Sequence, residues 1–169
     1  MKIYLIGYMG SGKTNLGREM AEIAGYSFAD LDELFEERYK VSIIEFFSKY
    51  GEEHFRRFER DILLATASMD NVIISTGGGT PCYFDNMDFI LANGRSVYLR
   101  MPVRVLAVRL NSVRKKRPLL KDVQPDEMEA HIEGHLKERE PVYLRADLVA
   151  EGPDFNAREI LEKLRTADP

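Results

Sequence analysis

Residues 7–14 read Gly-Tyr-Met-Gly-Ser-Gly-Lys-Thr, a glycine and four residues followed by Gly-Lys-Thr. This spacing suits phosphate chemistry. Glycines at 7, 10 and 12 let successive backbone N–H groups turn inward as an anion nest, and a helix beginning at Lys13 would add its partial positive charge. Lys13 can then reach the β- and γ-phosphates of a nucleoside triphosphate, and the Thr14 hydroxyl can ligand Mg²⁺.

A phosphate loop leaves the acceptor open, so the acceptor must be read elsewhere in the chain. Asp30 and Asp32 end a short run of β-formers, where open α/β sheets place ligands. If the strand persists, alternation sends the two carboxylates in different directions, one toward Mg²⁺ and one toward a hydroxyl proton. Asp32 could instead cap the helix that follows. Arg56 and Arg139 read as isolated from acid partners, and two guanidinium forks would suit an anionic acceptor such as a carboxylate.

Gly77, Gly78 and Gly79 stand together after an apolar run, a placement that calls for backbone approaching something closely. Arg114-Lys115-Lys116-Arg117 precedes Pro118 in a stretch without periodicity. It is either a solvated charge run or a lid that closes over the triphosphate. His131 and His135 share a helix face without the Glu of a metalloprotease motif, and read as surface residues; Cys82 reads as packing.

The elements that must position these groups follow from hydrophobic periodicity. Short apolar runs at 2–6, 27–30, 72–75, 96–99 and 147–150 predict strands. Helices are predicted at 13–24, 31–39, 42–50, 52–67, 85–93, 102–110, 126–139 and 156–165, with Ser42 and Glu45 forming a capping box. An aperiodic surface loop spans 111–125. Strands alternating with helices predict a parallel sheet covered on both faces, in one α/β domain over 1–169.

Composition excludes other classes. With 24 basic against 28 acidic residues, a net of −4 argues against general nucleic-acid or anionic-membrane binding. The lone Cys82 precludes an intrachain disulfide and suits a reducing cytoplasm. No apolar run reaches membrane-spanning length, and the absence of coiled-coil heptads makes a monomer the expectation.

Five separated motifs resemble the shikimate kinase family in order: residues 7–14; Phe28-Ala29-Asp30-Leu31-Asp32; Phe55-Arg56-Arg57-Phe58-Glu59; the three glycines; and Arg117-Pro118-Leu119-Leu120 with Arg139-Glu140-Pro141-Val142-Tyr143. The resemblance implies a three-layer α/β/α kinase fold on a central five-stranded parallel sheet. It further implies transfer of the γ-phosphate of ATP, with Mg²⁺, to the 3-hydroxyl of shikimate in aromatic amino acid biosynthesis.

By family position, Gly10, Ser11, Gly12, Lys13, Thr14, Leu16, Arg109 and Arg117 would contact the nucleotide, and Thr14 and Asp30 would organise Mg²⁺. Asp32 would bind shikimate as the candidate base, with Lys13 and Arg117 as the other catalytic groups. Arg56 and Arg139 would hold the carboxylate, and Gly77, Gly78 and Gly79 would offer backbone to the ring hydroxyls. Phe47, Phe55, Pro118 and Leu119 would shape the acceptor pocket. Residues 33–60 would form a mobile acceptor segment and 111–125 the lid. One departure stands out: the family's arginine seven residues before the lid arginine is Leu110 here, with Arg109 just before it. The other readings are a small kinase for gluconate or a nucleoside monophosphate, and a regulatory module that binds ATP without phosphoryl transfer.

Overall fold

The computed structural model describes residues 1–166. Five strands, β1 (Lys2–Ile6), β2 (Ser27–Asp30), β3 (Val72–Ser75), β4 (Arg95–Arg100) and β5 (Leu148–Glu151), form one sheet in the order β2-β3-β1-β4-β5. Every pairing is parallel. Leu5 lies opposite Ser75 on one side and Val97 on the other, and Asp30 lies opposite Ser75, so the carboxyl ends of the strands align along one edge.

Central β1 is buried throughout, as a strand covered on both faces requires. Its alternation divides the core. Ile3 and Leu5, with Ile73 and Val97, pack under α1 (Lys13–Ala24) and α7 (Ala157–Thr166) through Leu16, Met20, Ile160 and Leu164. Tyr4 and Ile6 face the opposite layer. There α2 (Leu31–Tyr39), α3 (Ile43–Ala65) and α4 (Asn86–Asn93) supply Phe35, Phe46, Phe55, Ile62, Leu63 and Ile90. A third cluster joins Tyr8 to α5 (Val103–Val113) and α6 (Met128–Tyr143) through Leu106, Leu110, Leu120, Met128 and Ile132. The three-layer α/β/α expectation holds.

Boundaries differ where local signals compete with packing. The two helices expected at 42–50 and 52–67 are both present, and they meet at Gly51, whose φ of 79° and ψ of 176° are non-helical, so α3 is two helices end to end across a kink. Ser42 and Glu45 make the expected capping box. Helix α6 continues beyond Arg139 through Pro141 to Tyr143, whose buried ring anchors its last turn. The loop expected at 111–125 begins later than expected, and 117–124 remains in turns and irregular backbone. Helix α5 runs to Val113, Arg114 Nη1 donates to the Val123 carbonyl at 3.0 Å, and Leu120 is fully buried.

Candidate functional site

Residues 7–14 bridge β1 and α1, as the phosphate chemistry requires. Gly12 caps α1 at φ 95°, a conformation strained for any residue with a Cβ. Lys13 is buried with its ammonium folded back onto the loop, donating to the Gly7 and Tyr8 carbonyls at 2.9 Å each. Burial pulls its pKa down to about 8, Asp32 opposes that pull, and Arg117 adds to it.

Asp30 ends β2 and caps α2, its Oδ1 accepting from the Asp32 amide at 2.9 Å. The cap is thus Asp30, in place of the Asp32 cap weighed above. Its other oxygen accepts from Thr14 Oγ1 at 2.7 Å. This hydroxyl–carboxylate pair is the hard oxygen donor set that suits Mg²⁺, so the residues fit the ion. Among the described residues no cluster of three or more His, Cys, Asp or Glu forms a metal cage, and His131 and His135 are part of none.

Asp32 lies in the first turn of α2, because the strand does not persist to it. Helical geometry therefore aims it, in place of strand alternation. Burial pushes its pKa up to about 6, with Asp30 and Glu59 reinforcing the shift and Arg117 and Lys13 opposing it.

Two hollows meet at this residue. The larger, about 690 Å³, is lined by the phosphate loop, Asp30, Ser75, Thr76, Arg109, Arg117 and the 153–155 turn. The smaller, about 80 Å³, is lined by Ile43, Phe47, Phe55, Arg56, Glu59, Gly79, Pro118, Leu119 and Arg139. Met9, Asp32, Gly77, Gly78 and Arg117 line both.

The two arginines of the smaller hollow differ. Arg56 was expected to be isolated and is not. Its Nε and Nη2 donate to Glu52 Oε1 at 3.3 and 3.1 Å, and its Nη1 donates to Glu59 Oε2 at 3.0 Å. Glu59 in turn accepts from Thr80 Oγ1 at 2.7 Å, and Arg56 stacks over Tyr83 with 4.3 Å to the ring centroid. Arg139 is also buried, but its Nη1 has no hydrogen-bond partner among the described residues. A buried guanidinium with a free donor is suited to an anion arriving from outside the protein.

The three glycines are explained by the protein's own packing. A Cβ on Gly77 would lie 2.7 Å from Glu59 Oε1, one on Gly78 2.9 Å from the Met9 amide nitrogen, and one on Gly79 2.5 Å from Arg56 Nη2. The Gly78 carbonyl accepts from the Tyr143 hydroxyl. The loop is thereby pressed between the phosphate loop and the guanidinium.

Arg109 reaches the phosphate loop, its Nη1 donating to the Gly10 carbonyl at 3.1 Å, while Leu110 is buried beneath Gly10. The one-residue offset thus leaves a cation on the cleft rim and an apolar wedge under the loop. Leu16 lines the cleft, yet it is mostly a core residue of α1. Sequence reasoning missed Glu59, whose i,i+3 spacing from Arg56 was the available signal, and the 153–155 turn, which carried none.

A model of the family described as shikimate kinase matches residues 9–167. The shikimate kinase of Parabacteroides distasonis is 44% identical over 160 residues, covering 95% of this chain and 90% of that protein. That of Azobacteroides pseudotrichonymphae is 42% identical over 164 residues, covering 96% of each. Among solved structures, the shikimate kinase of Bacteroides thetaiotaomicron superposes with a TM-score of 0.87 at 36% identity, covering 98% of this chain and 97% of that one. The Acinetobacter baumannii shikimate kinase in complex with shikimate gives 0.88 at 34%, covering 98% and 90%. With a family model and whole-length relatives in agreement with the fold and the paired hollows, the chain belongs to the shikimate kinase family.

Proposed function

We propose that this enzyme transfers the γ-phosphate of ATP to the 3-hydroxyl of shikimate, giving ADP and shikimate 3-phosphate in aromatic amino acid biosynthesis. The observation that carries the reading is the shared wall: Asp32, Gly77, Gly78 and Arg117 face both hollows, so a donor in one and an acceptor in the other would meet there.

The phosphate loop and Lys13 bind the triphosphate in the larger hollow, with Arg109 on its rim. Thr14 and Asp30 would hold Mg²⁺, which supplies charge neutralisation at the β- and γ-phosphates. Arg139 and Arg56 bind the shikimate carboxylate in the smaller hollow, and the 77–79 backbone contacts its ring hydroxyls. Asp32 orients the 3-hydroxyl and takes its proton as the oxygen attacks phosphorus and the bond to the ADP oxygen breaks. Arg117 stabilises charge on the transferring group. Positioning supplies most of the acceleration.

Residues 33–60 act as the acceptor-binding segment and 111–125 as the lid of a single domain. Closure of the lid would exclude water and so suppress ATP hydrolysis. The enzyme is a cytoplasmic monomer in this reading, which light scattering tests. No helix among the described residues is long and apolar enough to cross a membrane.

ADP release from Mg-ATP is measured with shikimate, gluconate, CMP and no acceptor, side by side. Release with shikimate alone is expected. Release with gluconate or CMP would overturn the acceptor assignment, and ATP binding without release on any acceptor would mark a regulatory module.

A further inference from the structure

Arg56 is aimed by two glutamates, whereas among the described residues Arg139 has no carboxylate partner to aim it. Among the groups it packs against is Tyr8. The Arg139 guanidinium lies over the Tyr8 ring, 5.7 Å from its centroid. Tyr8 is itself buried, and its hydroxyl shares a hydrogen bond of 2.8 Å with His135 Nδ1. His135 stands one helical turn before Arg139 on α6, on the same face.

The main chain of Tyr8 belongs to the phosphate loop, because its carbonyl accepts from Lys13 Nζ. One residue therefore touches the nucleotide machinery through its backbone and the acceptor's arginine through its ring. Burial pushes the Tyr8 pKa up to about 12, so the hydroxyl stays protonated near neutrality. Leu106, Leu110 and Ile132 belong to the same apolar cluster as the ring, and among the described residues its hydroxyl is hydrogen-bonded to His135 alone.

We propose that Tyr8 is a positioning residue whose ring, held by the hydrogen bond to His135, aims Arg139 at the acceptor carboxylate and ties that aim to the phosphate loop. The proposal rests on the reading above that Arg139 binds the carboxylate of shikimate. The tie acts on the anionic end of the acceptor and leaves the reacting atoms alone.

Steady-state kinetics on shikimate, its neutral methyl ester and ATP test it. Tyr8→Phe keeps the ring and its packing and deletes the hydroxyl. The KM for shikimate is expected to rise about fivefold, the order of one hydrogen bond, with kcat and the KM for ATP within about twofold. The kcat/KM for the methyl ester, which offers no carboxylate to aim at, stays within about twofold as well.

His135→Phe is expected to reproduce Tyr8→Phe, and the double variant to add nothing further. His135→Asn, whose Oδ1 falls near the Nδ1 position, restores the shikimate KM. Equal losses on shikimate, ester and ATP, or no loss on any, would overturn the tie. Arg139→Ala separates the two failures. If it leaves the shikimate KM unchanged, the acceptor reading fails and takes the tie with it; if it raises that KM while Tyr8→Phe does not, the tie alone fails.

Discussion

The two hollows of this site, proposed above as its nucleotide end and its acceptor end, are built by opposite methods. The first is made largely from eight contiguous residues and their own backbone, with Lys13 bonded to the loop carbonyls and Thr14 to Asp30. The second gathers side chains from α2, α3, residues 117–119 and α6 around the backbone of the 77–79 loop. Backbone donors in a tight loop need no partner from afar. Buried side-chain charges do, and Arg56 has Glu52 and Glu59. Substitution should therefore separate function from stability at the nucleotide end and entangle them at Arg56.

The largest expected effect lies at the nucleotide end. Lys13→Met should lower kcat by about a thousandfold through lost charge stabilisation at the transferring phosphate. Shikimate affinity by calorimetry should hold within about threefold, since Lys13 lines only the larger hollow. A parallel loss of shikimate affinity would mean that the two ends are not separately built.

The arginine pair sharpens the contrast within the acceptor end. Arg139→Ala should raise the KM for shikimate by about tenfold to a hundredfold, the worth of hydrogen bonds to a charged group. Stability should change less than at Arg56, because among the described residues no carboxylate is paired with Arg139. Arg56→Ala should raise the same KM and also lower unfolding stability by about 3–5 kcal/mol, because Glu59 is left buried without its cation. Urea unfolding distinguishes them, and equal stability of the two variants would erase the distinction.

Next in size is Gly79→Ala. Its Cβ would press on the Arg56 guanidinium at 2.5 Å, where Glu52 and Glu59 leave little room to yield. A rise of about tenfold in the shikimate KM is expected, with the KM for ATP within about twofold. An unchanged shikimate KM would show that Arg56 can retreat without cost.

These differences explain what the sequence disclosed. The phosphate loop was legible because its chemistry depends on glycines and Lys-Thr in one run, and β1 and β3 because parallel strands buried on both faces are near-continuously apolar. The freedom of Arg139 was legible for the wrong reason. Glu138 and Glu140 flank it in sequence, but Glu140 turns away to Tyr98 and Arg100, a choice made by α6 packing on β4. The partners of Arg56 were present at i−4 and i+3 and were discoverable from spacing alone. The turns of residues 111–125 were not, since they combine backbone bonds between successive turns with one buried leucine and side-chain bonds from Arg114 and Asn111 to backbone carbonyls, none of which has a periodic signature.

The smallest predicted effect tests the motif Phe55-Arg56-Arg57-Phe58-Glu59 one residue from its functional arginine. A step along a helix turns the side chain by about 100°, so Arg57 leaves the hollow that Arg56 lines. It pairs with Glu53 at 2.7 Å, with both side chains more than half exposed. Surface pairs of this spacing contribute little, so Arg57→Ala should cost at most about 0.5 kcal/mol and leave both KM values unchanged. A shikimate KM that rose with Arg57→Ala as it does with Arg56→Ala would mean that the acceptor end reads charge density on α3, and that the aim given to Arg56 by Glu52 and Glu59 is not what selects the acceptor.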